Sequence, residues 1–227
     1  MKKYRLALWS SILLQFAAVP LEAANLLQNP NFNGSLASWV APYATYDATR
    51  SATADGTGSA LAGFTLPSNA AYGNANGVEQ CVDGIVPGTS YDFGGKVFIP
   101  SGQVGLGGGG SVYIQWYGSA GCTGTLTGNT NTAIALAPPS STNVWYPLLA
   151  SATAPAGTSS VLVIGEIQNN AGDGATFSVS FDELFLQTTP PVPQSVSVAI
   201  PTVGMAGSGL LVLSLAGAAL FLLRRGA

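Results

Sequence analysis

The chain has 227 residues, 47% of them hydrophobic and only 7% charged, with 29 Gly, 14 Pro and no His. The lack of His excludes Ser-His-Asp and Cys-His catalysis and any His-ligated metal. The formal net charge is −3 overall, but between residues 25 and 201 two basic residues, Arg50 and Lys96, stand against nine acidic ones, a balance of −7 that argues against nucleic acid as a partner.

The first element is a leader. Lys2, Lys3 and Arg5 precede an apolar run from Leu6 to Val19 and then small residues, the layout of a secretory signal peptide over 1–24 with cleavage after Ala23 or Ala24. A permanent N-terminal span is the alternative, disfavoured because the run falls short of the ~20 residues a span needs.

Residues 25–187 read as one domain with β patterning throughout and no capped helical period. In "SYDFGGKVFIP" the residues Tyr91, Phe93, Val97 and Ile99 share a face. In "SVYIQWYG" Val112, Ile114 and Trp116 take one face, and Tyr113, Gln115 and Tyr117 the other. "SSVLVIGEIQ" is a nearly continuous apolar run, and "ATFSVSFDELFLQ" alternates through Phe177, Val179 and Phe181 before its parity slips to Leu184 and Leu186. A β-bulge at Asp182–Glu183 accounts for the slip. The intervening "VPGTS", "PSGQVGLGGGGS", "SAGCTGTLTGNTNT" and "NNAGDG" read as turns and loops. Short strands between Gly-rich loops predict an all-β, two-sheet antiparallel sandwich. Cys81 and Cys122, an even pair in an oxidising compartment, predict a disulfide; two free buried thiols are the alternative.

Residues 188–202 form a Pro-rich stalk without apolar periodicity, expected to run extended. Residues 203–223 follow without a charge, and at ~1.5 Å per residue they cover ~31 Å as a helix, one hydrocarbon thickness. Arg224 and Arg225, in the basic tail 224–227, mark the cytoplasmic side and leave the domain outside.

Two resemblances add to this reading. "NLLQNPNFNGSLASW" (25–39) is similar to the first strand of the jelly-roll, galactose-binding-like carbohydrate-binding modules attached to bacterial xylanases. "VEQCVDGIVPGTSYDFGGKVFIPSG", "VWYPLLASATAPAGTSSVLVIGEIQ" and "FSVSFDELFLQ" match further pieces in order, so the resemblance covers 25–187. It implies a jelly roll, buried positions for Tyr91 and Trp145, and polysaccharide as the partner. It also implies a structural calcium held by the Asn31 carbonyl, Asn33 and Asp182, with Asp55 as a further ligand. This chain has Asn33 where those modules usually carry an acid; the other reading of Asn31 and Asn33 is that they bond turn backbone. The tail resembles exosortase-handled sorting signals, with Ile200-Pro201-Thr202 as the motif, a sorting protease or transpeptidase as partner, and Arg224–Arg225 as the basic cluster. A plain single-span anchor is the alternative. The combined expectation is a bacterial protein with an inner-membrane-anchored precursor and a mature form at the cell surface or outside the cell.

For chemistry, "GLGGGG" (105–110) leads into a strand rather than a helix and reads as a hairpin loop, not a phosphate cradle. Glycoside hydrolysis needs two facing carboxyls. Asp182 and Glu183 are adjacent, and nothing in the sequence brings Glu79 and Glu166 together. Sugar binding needs aromatic faces with amide and carboxyl hydrogen bonds. Trp116 shares a face with Val112 and Ile114 and reads as core. The candidate binding set is therefore Tyr113, Gln115 and Tyr117 on one strand face, with Tyr43, Tyr46 and Tyr72 in loops. The expected function is non-catalytic polysaccharide binding. A structural or adhesive surface or matrix protein without a sugar site is the alternative, and a hydrolase ranks last.

Overall fold

The structure is a computed structural model that describes residues 23–54, 56–67, 70, 72–103, 108–128, 143–170 and 174–190. Nearly all of the expected signal peptide, Asp55, Ile200–Thr202, the apolar segment 203–223 and Arg224–Arg225 lie outside the described residues. Among the described residues no helix is long and apolar enough to cross a membrane.

Nine strands and one short 3₁₀ turn (Ser101–Gln103) make up the described fold. They are β1 (Ala44–Asp47), β2 (Ser59–Thr65), β3 (Gly73–Asp83), β4 (Ser90–Phe98), β5 (Gly109–Ser119), β6 (Thr123–Leu126), β7 (Trp145–Thr153), β8 (Ser160–Asn169) and β9 (Thr176–Thr188). One antiparallel sheet has the order β1-β2-β9-β4-β7 and the other β3-β8-β5-β6. The pairings nest: β2 lies on β9, β3 on β8, β4 on β7 and β5 on β6. A long antiparallel ribbon folded over on itself gives this order, which is that of a jelly roll.

The core lies between the sheets and follows from the strand alternation. Val112, Ile114 and Trp116 of β5 and Phe177, Val179 and Phe181 of β9 are all at most 1% exposed, opposite Phe93 and Val97 of β4 and Val161, Val163 and Ile167 of β8. Burial of such side chains contributes ~1.5–3 kcal/mol each. Tyr91 is buried against Trp116, ring centroids 5.9 Å apart, and gives its hydroxyl to the Val86 N–H as acceptor at 3.0 Å. The bulge in β9 is present: Gly94 pairs with Phe185 and Lys96 with Asp182, so Glu183 and Leu184 oppose Gly95 alone. Glu183 takes φ 49°, which restores Leu184 and Leu186 to the core.

Several expectations need correction. Residues 25–39 form turns rather than a first strand. Their sequence is too rich in turn-forming Asn and Gly: Asn29 (φ 47°) accepts the Asn33 N–H at 2.7 Å on its side chain and donates to the Ser35 and Ala37 carbonyls. The segment still contributes Phe32 and Trp39 to the core, and Asn25 clamps it to β9 by donating to the Leu184 carbonyl and accepting from the Leu186 N–H. The Gly-rich runs are not wholly loops. Gly109 and Gly110 open β5, paired with Gln168 and Ile167, because a side chain at Gly110 would stand 2.9 Å from Val97. Likewise Thr123–Leu126 of "SAGCTGTLTGNTNT" is β6. The last strand continues one residue beyond 187, and Thr189 N–H still bonds the Ser90 carbonyl. Trp145 is half-buried rather than core: it lies on the outer face of the five-stranded sheet, against Phe98, and donates to the Ser51 carbonyl at 2.9 Å.

Candidate ligand-binding face

The outer face of the four-stranded sheet is built by residues that alternate with the core. β8 presents Ser160, Leu162, Ile164, Glu166 and Gln168 outward; β5 presents Ser111, Tyr113, Gln115 and Tyr117. Register sets Tyr113 beside Ile164, Gln115 beside Leu162 and Tyr117 beside Ser160. On the other flank β3 sets Asn76 against Glu166, Glu79 against Ile164, Cys81 against Leu162 and Asp83 against Ser160.

A bulge decides which β3 residues join this face. Asn76 and Glu79 are three apart and would point to opposite sides of a regular strand. The extra residue, Gly77, sits between Asn76 and Val78 and brings both outward. Gly77 fits because its missing side chain leaves room for Ala62 of the other sheet, whose Cβ would stand 2.7 Å from a Cβ there.

The result is a polar network over an apolar floor. Ile164 is fully buried although it faces away from the core. Tyr113 donates to Asn76 Oδ1 at 3.2 Å, and Asn76 Nδ2 donates to Glu79 Oε2 at 3.0 Å. Ser111 Oγ donates to Glu166 at 3.2 Å, and Tyr117 to Gln115 Oε1 at 3.0 Å. Burial, then the Glu166 and Glu79 carboxylates and Tyr117, push the Tyr113 phenol up to about 12, so it stays a neutral donor.

At the far end the disulfide is formed. Cys81 and Cys122 are bonded with Cα atoms 5.8 Å apart, which ties the β5–β6 turn across β8 to β3. The turn is held further by Gly121 N–H on Asp83 Oδ1 (2.6 Å) and Cys122 N–H on Ser160 Oγ (3.0 Å). A cleft of about 710 Å³ runs along the β3 edge beside it, lined among others by Leu26, Val40, Glu79, Asp83 and Leu162. Gln80, 7% exposed, closes its floor by donating to the Gln28 and Ser38 carbonyls and accepting the Gln28 N–H.

The structure therefore brings Tyr113, Gln115 and Tyr117 together and leaves the other three tyrosines elsewhere. Tyr43, 49% exposed, stacks edge-on against Phe64 at the β1 edge of the other sheet. Tyr46 on β1 donates to the Thr57 carbonyl at 2.9 Å, and Tyr72 lies exposed just before β3. Sequence reasoning missed Asn76, and it found no link between Glu79 and Glu166. The signal for Glu166 was its position as the lone acid in an apolar run; nothing short of the bulge could align Asn76 with Glu79.

The calcium positions divide too. Asp182 is fully buried on the outer side of the five-stranded sheet, under residues 51–53. It accepts the Ala52 N–H (2.7 Å), the Glu183 N–H (2.8 Å) and Ser51 Oγ (3.2 Å). Hydroxyls continue from Ser51 to Thr53 (2.8 Å) and Thr57 (3.1 Å), and Thr57 donates to the Asn31 carbonyl at 3.3 Å. Asn33 is exposed, and Asp55 lies outside the described residues. Among the described residues no three acids, Cys or His group together. The oxygen set is nonetheless hard and fits calcium. Ser59 Oγ, one register step past the Ala60–Phe181 pair and so beside Asp182, is buried without a hydrogen-bond partner. Burial, outweighing its backbone and Ser51 donors, raises the Asp182 pKa above the ordinary 3.8.

No protein-family model matches the sequence, and no curated protein matches it. Solved structures do. An arabinose-bound family 51 α-L-arabinofuranosidase is similar at a TM-score of 0.51 and 17% identity, over 73% of this chain and 26% of that one. The shared feature is the fold. The C-terminal family 22 carbohydrate binding module of Clostridium thermocellum Xyn10B is similar at 0.49 and 17% identity, over 76% of this chain and 99% of the module. The enzymatically active domain of bacteriophage CBA120 tailspike protein 4 is similar at 0.49 and 11%, over 73% of this chain. This chain spans only 21% of that tailspike domain and 26% of the arabinofuranosidase.

Proposed function

We propose that the chain is an exported, surface-directed, non-catalytic protein that binds polysaccharide on the outer face of its four-stranded sheet. The observation that carries this reading is the side-by-side placement of half-buried Tyr113 and Tyr117 with Gln115, Asn76, Glu79 and Glu166 over an apolar floor. Aromatic area beside amides and carboxylates is what a sugar ring needs: a flat apolar surface for its C–H face and directed partners for its hydroxyls. The fold is shared with modules whose names state carbohydrate binding, which agrees with the reading without deciding the ligand. Export, surface display and processing at Ile200–Thr202 rest on the sequence alone.

A cation at Asp182 is part of the proposal. Asp182, the Asn31 carbonyl and the hydroxyls of Ser51, Thr53, Thr57 and Ser59 would hold calcium, which would fasten residues 51–57 onto β9. With a single carboxylate among the described ligands its affinity falls in the weak extracellular range, Kd on the order of 10⁻⁴–10⁻³ M.

One observation favours the second reading, a structural or adhesive surface protein without a sugar site. The Tyr113 and Tyr117 hydroxyls are already satisfied by Asn76 and Gln115, as packing alone would leave them. Glycan-array binding of the full chain separates the two, with the Tyr113→Ala/Tyr117→Ala variant and an EDTA arm beside it. The binding reading expects a defined glycan class retained by the wild type and lost by the variant. Failure of the folded, disulfide-bonded protein to bind any glycan leaves the structural reading.

A further inference from the structure

The two cations among the described residues both belong to the five-stranded sheet. The Arg50 guanidinium lies 4.3 Å from the Phe98 ring centroid and donates to Ser180 Oγ, and Lys96 Nζ is 2.7 Å from Glu183 Oε2. On the four-stranded sheet the outer face carries Glu166 and Glu79 in adjacent cross-strand rows and Asp83 two rows further on, past the uncharged Cys81–Leu162 row, and no described basic residue stands among them. Glu79 and Asp83 are four residues apart on one face of β3, so about 13 Å separates them along the strand. Each has one carboxylate oxygen engaged, by Asn76 and by the Gly121 N–H, and each lines the cleft of about 710 Å³. Leu26, Val40 and Leu162 add apolar patches to the same cleft. The cleft thus sets two carboxylates among the side chains of Leu26, Val40 and Leu162 in a largely polar lining, and Asn76 links its Glu79 to Tyr113.

Resting on the polysaccharide reading above, we propose that the ligand is a polymer of amino sugars carrying free ammonium groups. The spaced carboxylates complement a repeat of cations, and the apolar patches of the cleft and the tyrosines of the adjoining β5 face take the ring faces. A uronate or sulfated chain meets like charge at three of the four rows, and a neutral chain leaves the carboxylates to be desolvated without a partner.

The test is co-sedimentation of the full chain with chitosan, fully acetylated chitin and xylan, at low and at high salt. Three variants run beside it: Glu79→Gln/Asp83→Asn, Tyr113→Ala, and Asp92→Asn, whose carboxylate lies on the opposite sheet. The proposal expects chitosan to be preferred over chitin, with binding weakened by salt. The expected loss is about threefold to fivefold per carboxylate removed from the cleft, with Asp92→Asn unchanged. Chitin or xylan bound as well as chitosan, with loss only in Tyr113→Ala, overturns the amino-sugar assignment and keeps the face. Equal losses in Asp92→Asn and the cleft variant reduce the chitosan binding to general charge attraction and also overturn it. Binding to none of the three, or binding unaffected by Tyr113→Ala, removes the face itself as the site.

Discussion

Asp182 and Asp47 are both carboxylates of the five-stranded sheet region, yet burial and partners move them in opposite directions. Asp182 is held above the ordinary 3.8 because burial outweighs its donors. At Asp47 burial also acts upward, but the Thr49 hydroxyl and N–H and the charge of Arg50 together win and lower it. The linkage signs follow. The Asp182 contribution is fully present below 3.8 and is lost as pH rises through its folded value; the Asp47 contribution is present above 3.8 and lost as pH falls through its lowered value. Urea unfolding of the wild type and Asp182→Asn across this window is expected to show the wild type gaining on the variant as pH falls. Added calcium reverses that slope if Asp182 binds it, because the ion favours the charged carboxylate. A slope unchanged by calcium removes the ion from Asp182.

Among the elements, β4 is the most sensitive to a small change. Gly94 has φ 157°, and a Cβ there would stand 2.0 Å from the Leu148 carbonyl oxygen of β7. Gly94→Ala is expected to cost about 3 kcal/mol or more, since backbone must move and the β4–β7 ladder with it. Gly157 has φ 80° with nothing within 4 Å, so Gly157→Ala should cost only about 1 kcal/mol of backbone strain. Comparable losses in chemical denaturation would refute the contact argument. The same strands show what sequence makes legible. Strict alternation marked β4, β5 and β9, and the parity slip marked the β9 bulge, because period-2 burial is written directly in residue order. β1, β2 and β6 escaped because they are short or small-residued strands such as "ATYD" and "TGTL". β3 escaped because its bulge breaks its own alternation. At the site, the Tyr113–Gln115–Tyr117 face was readable for the same reason that β5 was. Its partners on β3 and β8 were not, since cross-strand register is a property of pairing rather than of either strand alone.

For the whole molecule, the Cys81–Cys122 bond links positions 41 apart and crosses from β3 to the β5–β6 turn. Loop-entropy reasoning assigns it roughly 4 kcal/mol of stability. Reduction is expected to lower the unfolding midpoint accordingly and to release the turn from Asp83 and Ser160. Glycan retention should fall with it if the cleft is the site. A reduced protein of unchanged stability would mean that the turn is held by its hydrogen bonds alone.

The position of β9 has a mechanical consequence. It is the central strand of its sheet, flanked by β2 on one side and β4 on the other, and its end at Thr188 leads to the rest of the chain. Tension applied from that end while a ligand is gripped on the opposite sheet acts along the strand axis. It loads two ladders at once, across hydrogen bonds that lie perpendicular to the pull. Such a strand yields by shear of all its bonds together rather than by unzipping one at a time. The fold therefore resists most strongly in the direction in which a tethered, ligand-bound domain would be pulled.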